Sequence, residues 1–471
     1  MTAFLFLASM VISIILVVLA VLDRFGKVRL WPAVLLIACA PLEVYRAEVG
    51  FFNLSVFRMA LLIAVAAFVW DVVRRPPRRL AIPAIVAMYA GLIVLQVLSI
   101  VAVTDARSLG TRFLLQYVGG IASALVVVRF VRRRDLPATA IAYVCAALLP
   151  ALASVWRILA PGPAGGSRTL PGLDLLPVDP TIAAAREQGS FLLEGVQRMQ
   201  GTYADPNHFA FFVATVLIVI AGLLVRQWHS GFGIADQHSK VLWLAGAVCA
   251  ALLVGTYSRS AWLLATVGML LAAALAGRTA LRAFVTRRRL VVALVAAALC
   301  GLLAAPAVVS RLDPATSGSS RSTNEHLDTM RLAVELFAQR PVTGTGIGGY
   351  GRFADQPALL SSAHSTLLTT AAELGAPGAL LLLSIFVGTA FWGRRTTASI
   401  AEPRSRAVPA ALLGAWLAMA ASNLLYEVWV DDFQWMLFAL VLVGTRQPSL
   451  RLTPSRMSFG VRGRGDLRVG T

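Results

Sequence analysis

Charge is scarce in this sequence: Asp, Glu, Lys and Arg together supply 14% of 471 residues, against 58% hydrophobic residues. A chain of this length with so few charges cannot cover a water-facing surface, so lipid must be the solvent for most of it. Cysteine is also scarce. Cys39, Cys145, Cys249 and Cys300 all fall inside apolar stretches, which argues against a disulfide framework or a metal site. Metal-ligand spacings of the His-x-His or His-Glu-x-x-His type are lacking around His208, His326 and His364, so metal catalysis has no support and no cofactor is expected. Residues 3–22 lack a basic leader and a small-residue cleavage site, so they are expected to form a first helix. There is no internal repeat and no separate soluble domain. Residues 1–471 are expected to be a single integral membrane domain.

What the sequence has in abundance is long apolar runs. About 20 apolar residues are needed to cross the hydrocarbon core as a helix, and irregular backbone cannot face lipid with its amides unpaired. Spans are expected near 3–22, 30–44, 54–73, 81–103, 113–130, 137–159, 207–226, 240–256, 260–277, 290–308, 366–392, 408–427 and 432–445. The fold class is therefore all-α: a polytopic transmembrane helical bundle of about 12–13 spans. The second and last spans are short, and only the turn Thr256 to Ser260 separates two others.

A net charge of +19 would suggest nucleic acid as partner of a soluble protein, but here the placement of the arginines decides. Basic and non-basic gaps alternate along the chain. One set comprises 23–29, 74–79, 132–134, 227–240, 278–289, 394–406 and the tail 446–471, and with flanking residues it carries 28 of the 42 Lys and Arg. Cytoplasmic loops are the basic ones, so the N-terminus is expected outside and the C-terminus, a basic tail, inside. The excess charge then reflects topology and anionic membrane lipid, not nucleic acid. The two long segments 160–206 and 309–365 become extracytoplasmic loops.

Chemistry is expected in those outer segments, since the inner loops are short and arginine-rich. The first ends with Arg198, Gly201, Asp205, Pro206, Asn207 and His208, running into a span. Asp205 or Asn207 can cap that helix, and Pro206 suits its start. Arg198, close to the membrane entrance, needs an anionic substrate or a carboxylate. Arg259 sits in the outer turn Tyr257-Ser258-Arg259-Ser260, as a snorkelling arginine or as an anion site with the neighbouring hydroxyls.

In the second segment, Ser322 and Glu325 have capping-box spacing. Leu327, Met330, Val334 and Phe337 then recur on one face until Pro341, which predicts an amphipathic helix at the outer surface. Gly344, Gly346 and Gly349 satisfy the G-x-G-x-x-G spacing. No strand precedes them and no helix opens from them, so the dinucleotide reading is rejected. The glycines instead permit a tight turn or close backbone approach. Next come His364-Ser365 and Glu373-Leu374-Gly375, the latter completed by Gly378, entering a span. A histidine at such an entrance can serve as a base or hydrogen-bond donor, or as a structural interfacial residue. Glu427, Asp431 and Asp432, in the outer turn before the last span, are candidates for a supporting carboxylate or for balancing nearby arginines.

The order of these features, from the arginine before Gly and Asp-Pro-Asn through the Ser-Arg turn, the helix, Pro, the Gly-x-Gly-x-Gly run and the histidine to Glu-Leu-Gly-x-x-Gly, resembles the superfamily of O-antigen ligases and Wzy-type polysaccharide polymerases. The likeness spans 198–378 in motif order. It implies a metal-independent glycosyltransferase that uses a polyprenyl-diphosphate-linked glycan at the outer face of the bacterial cytoplasmic membrane, with other polysaccharide assembly proteins as candidate partners. By the same resemblance, Arg198 and Arg259 match donor-diphosphate arginines and His364 matches the histidine that helps the acceptor hydroxyl attack. Asp205, Asn207, Ser258 and Glu373 are supporting candidates. The family usually has His-Asn where this chain has His364-Ser365. The rival reading from another class is a transporter or flippase. Such proteins usually carry paired half-chain repeats or ionisable groups on broken midplane helices.

Overall fold

In the computed structural model, the structure describes residues 2–42, 45–49, 52–75, 84–102, 107–159, 192–193, 196–203, 205–228, 237–277, 317–353, 363–424, 426 and 431–445. The helices are α1 (Thr2–Arg24), α2 (Trp31–Cys39), α3 (Val56–Arg74), α4 (Ala84–Ala102), α5 (Arg107–Phe130), α6 (Leu136–Cys145), α7 (Leu148–Leu159), α8 (Pro206–Trp228), α9 (Gln237–Gly255), α10 (Arg259–Ala276), α11 (Ser317–Gln339), α12 (Tyr350–Phe353), α13 (Thr366–Ala398), α14 (Pro403–Ser422) and α15 (Asp432–Gly444). Two short antiparallel hairpins accompany them: β1 (Arg46–Val49) with β2 (Phe52–Ser55), and β3 (Leu192–Leu193) with β4 (Val196–Gln197).

The protein is an all-α, multi-pass membrane bundle. Among the described residues, seven helices are long and apolar enough to cross a bilayer alone, and four shorter apolar helices accompany them. Every span expected from the sequence coincides with helix except 290–308, which lies outside the described residues, as do the tail 446–471 and residues 160–191 of the first outer segment. The second expected span is the clearest shortfall. Helix α2 has nine residues before the Ala40-Pro41 turn, and at 1.5 Å per residue it rises only about 13 Å. The sixth is split into α6 and α7. Pro150 has no N–H to give Ala146, and its ring would clash with that carbonyl, so the chain breaks there.

Apolar side chains cover the outside of the bundle as well as its core. Leu16, Val17, Trp70, Val73, Leu98, Leu244 and Leu270 are among the large hydrophobics left exposed, a belt that hydrocarbon can cover and water cannot. The centre is built on α8, α10, α14 and α15. Gly414 of α14 lies so close to α10 that a Cβ there would fall 2.8 Å from Gly268 O and 2.7 Å from Ala272 N. With no hydrophobic force between helices in lipid, such small residues let dispersion do the packing.

The described residues of the basic gaps collect at one end. Lys27 and Arg29 pair with Asp135, Arg129 pairs with Asp71 and donates to Arg75 O, and Arg133, Arg134 and Arg226 meet Glu402 around one cavity. At the other end Thr202 donates to Pro41 O, Met199 N to Gly255 O, Ile347 N to Ser99 Oγ and Thr366 N to Asn423 O.

Helix α11 starts earlier than the capping-box spacing suggests. It begins at Ser317, so Ser322 lies inside it and not at its start. The Ser-Gly-Ser-Ser run that opens it imposes no stop before Ser322, and capping-box spacing alone does not fix a helix start. Its inward face carries His326, Thr329, Ala333 and Leu336, while Leu327 and Val334 are exposed.

Candidate active site

The start of α8 and the turn after α14 form the frame of the site. Asp205 precedes Pro206, and its Oδ1 accepts from Asn207 N at 2.5 Å, so it caps α8. Its Oδ2 accepts from the Tyr426 hydroxyl at 3.4 Å. Asn207 Nδ2 donates to that hydroxyl at 3.0 Å, and Asn207 Oδ1 accepts from Arg198 Nη2 at 2.9 Å. Arg198 Nε donates to Thr256 O at 2.8 Å. Arg198 is thereby fastened to the turn that leads into α10. That turn carries Ser258, buried with its hydroxyl 3.3 Å from Ser260, and then exposed Arg259 as the first residue of α10.

Three histidines converge on Tyr426. The ring centroids of His208, His326 and His364 lie 5.9, 6.0 and 5.8 Å from that of Tyr426. His326 and His364 are themselves 3.9 Å apart at 45°. His208 Nδ1 sits 3.0 Å from the buried Asp431 carboxylate. His364 (φ 50°) and Tyr257 (φ 53°) are the non-glycine residues in the left-handed region among those described. Such conformations persist only where surroundings enforce them, and they concentrate at functional sites.

What enforces His364 is the start of α13. Ser365 Oγ accepts from Leu368 N at 3.3 Å as the helix cap. Thr366 is bound to Asn423 through its N–H at 2.9 Å and its hydroxyl at 2.8 Å. Asn423 continues to Gln434 at 3.1 Å. The residue after the histidine is therefore a buried cap, a task for which Ser and Asn are nearly equivalent.

Burial lowers His364 to about 4, with His326 and His208 adding repulsion and Asp205 opposing it. The imidazole is thus neutral at pH 7. Burial, reinforced by Asp205, raises the Tyr426 phenol well above its usual range. Arg198 is lowered by burial, with Asp205 and Tyr426 favouring its charge.

Glu373 sits elsewhere. Its Oε1 accepts from Tyr350 N at 3.2 Å and its backbone O accepts from Gly346 N at 2.9 Å. The glycine loop docks here against a break in α13 at Gly375 (φ 69°, ψ −167°), where Ala376 N reaches Pro341 O at 2.7 Å. The loop's N–H groups at Gly344, Thr345, Gly346, Ile347 and Gly349 are all engaged within the protein, so they do not cradle a phosphate. Glu373 joins the loop to α13. Among the described residues, no three His, Cys, Asp or Glu side chains are placed to hold a metal ion.

The structure thus brings Arg198, Asp205, Asn207 and His364 together and adds Tyr426, His208, His326 and Asp431. Tyr426 and His326 carry no local motif, so nothing in the sequence spacing singles them out. Asp431 lies beside Glu427, which is outside the described residues.

This is the geometry of a multi-pass membrane protein with a polar site at one end of the bundle. Residues 244–383 match the family model described as O-Antigen ligase, which supports the O-antigen ligase and Wzy superfamily and, in general, a membrane glycosyltransferase-like ligase or polymerase. A search of curated proteins gives no match to the chain. The matched segment contains Ser258, Arg259, His326, His364 and Glu373, while Arg198, Asp205, His208, Tyr426 and Asp431 approach from outside it.

Proposed function

We propose that the protein transfers a saccharide from a polyprenyl-diphosphate donor to an acceptor hydroxyl at the outer face of the bacterial cytoplasmic membrane. The N-terminus is then outside and the C-terminus inside. The observation that carries this reading is the linked set Arg198, Asn207, Tyr426, Asp205 and His364, at the end of the bundle away from the basic gaps. A cation anchored by two hydrogen bonds and a neutral imidazole beside it are what displacement of a diphosphate requires.

In this mechanism the acceptor oxygen bonds to the anomeric carbon while its proton passes to His364. The bond from that carbon to the diphosphate oxygen breaks, and the electron pair leaves with the lipid diphosphate. Arg198 and Arg259 hold the leaving group, through bidentate hydrogen bonds where geometry allows. A histidine lowered to about 4 is a weak base until the donor arrives; the negative diphosphate then raises its basicity. Tyr426 and Asp205 position the groups around it. Ligase and polymerase share this donor chemistry and differ in the acceptor. The polar groups gather at one end of the helices instead of at mid-depth, which favours transfer over alternating access.

The test is gene deletion complemented by wild type or by His364→Ala, with analysis of lipid-linked and mature glycans. Accumulated single repeat units identify a polymerase, and full-length chains left on the carrier identify a ligase. Wild-type glycan profiles from expressed Arg198→Ala, Arg259→Ala and His364→Ala variants overturn the assignment.

A further inference from the structure

At the end of the bundle opposite the histidines, a cavity of about 520 Å³ lies between the turn before α6, the last turn of α8 and the start of α14. Arg133, Arg134 and Arg226 line it, with Glu402 as the one carboxylate among the lining residues. Arg404 adds a further positive charge near Arg226. Nearby at this end, Lys27 and Arg29 share Asp135, Arg129 meets Asp71, and the Arg406 guanidinium donates to Ile400 O. In the cavity itself three arginines face one carboxylate. The Glu402 carboxylate, moreover, already accepts from the Ser405 hydroxyl at 2.5 Å.

Arg133 makes the imbalance specific. Its Nη2 is buried and has no hydrogen-bond partner among the described residues. A buried guanidinium N–H left unpaired is costly, more so than a neutral donor, and an anion in the adjoining cavity removes that cost. Leu136, Val408 and Pro409 add apolar lining. A site that combines clustered arginines with hydrocarbon fits a phosphate that carries acyl chains better than a fully hydrated ion. Its size falls within the range of about 300–1,000 Å³ typical of ligand pockets.

We propose that this cavity binds the phosphate of an anionic lipid headgroup, held by Arg133 with Arg134 and Arg226, as a site separate from the transferase centre. The proposal uses none of the transfer chemistry. A phosphate there would fasten the turn before α6 to the ends of α8 and α14. Helix α14 runs on to Asn423, which holds the start of α13 and so the backbone of His364.

Binding of short-chain phosphatidylglycerol, short-chain phosphatidylcholine and inorganic phosphate to the purified full chain in detergent would be measured by native mass spectrometry and by the shift in unfolding temperature. Phosphatidylglycerol is expected to bind and raise the unfolding temperature, while phosphatidylcholine and inorganic phosphate leave it unchanged. Arg133→Gln should weaken phosphatidylglycerol binding about tenfold or more, as loss of a charge-assisted pair predicts. Arg24→Gln removes an exposed charge from the same end outside the cavity and should have no effect. Equal loss with Arg24→Gln means diffuse attraction and overturns the site. Equal binding of phosphatidylcholine overturns the anion, and equal binding of inorganic phosphate overturns the lipid. Because the readout is binding, an inactive histidine site would leave this result untouched.

Discussion

The imidazoles of His326 and His364 lie 3.9 Å apart, one from the inward face of α11 and the other from the residue before the α13 cap. Two rings at that distance cannot both be protonated cheaply, and His326 is one of the causes that hold His364 at about 4. Replacing His326 by Asn removes the repulsion, so His364 should move up towards its ordinary value near 6.5. The sign follows directly: a neutral base is lost as pH falls through its pKa. The acid limb of kcat/KM, measured with purified enzyme and lipid-linked glycan, should therefore begin near pH 4 in wild type and at higher pH in His326→Asn. An unchanged limb would separate His364 from proton transfer.

His364→Ala should lower kcat by ~10²–10⁴, the usual contribution of a positioned acid or base. Binding of the donor should persist, because Arg198 and Arg259 remain. Equilibrium binding of the lipid-linked glycan to the purified variant distinguishes this from a collapsed site.

Arg198 is held through Nε and Nη2 on two different partners, Thr256 O and Asn207 Oδ1. Lysine cannot reproduce that fork. Arg198→Lys is therefore expected to behave much like Arg198→Ala, each losing on the order of 10² in kcat/KM. Rescue of activity by lysine would show that charge alone matters and that the hydrogen-bonded geometry does not.

How far this was legible beforehand depends on the kind of signal. Apolar runs mark helices because each must bury its own backbone bonds, so the described spans from α3 to α15 could be placed. Arg198 and His364 were visible through their motifs. Tyr426 was not, because its importance arises from four segments meeting at one hydroxyl and one ring, a property of tertiary packing. The placement of His326 beside His364 is likewise a matter of tertiary packing, since no local motif marks it. Glu373, a supporting candidate by motif, instead secures the glycine loop.

The glycine loop gives a prediction about stability. A Cβ at Gly344 would stand 2.3 Å from the Glu373 carbonyl, and one at Gly375 would stand 2.4 Å from Val342 O. Both positions have positive φ, and both obstacles are backbone that cannot swing aside. Either glycine to alanine change should destabilise the protein by more than ~2 kcal/mol, as strain at a special backbone conformation does. Gly388→Ala, with open space around the added carbon, should be neutral. Thermal unfolding in detergent measures all three.

Orientation is the premise on which the proposed chemistry stands, since a donor at the outer face is useless to histidines on the inner one. Asp328 on α11 is exposed at the histidine end, its side chain 67% accessible, and Ala401 is exposed at the end where the arginines gather. In a chain with all four native cysteines replaced by alanine, Asp328→Cys should react with a membrane-impermeant maleimide on intact cells. Ala401→Cys should react only after permeabilisation. The two ends are tied to opposite sides of the same bundle, so a reversed pattern would carry Arg198, Arg259 and His364 into the cytoplasm together. It would leave the fold intact and remove the proposed transfer at the outer face in one step.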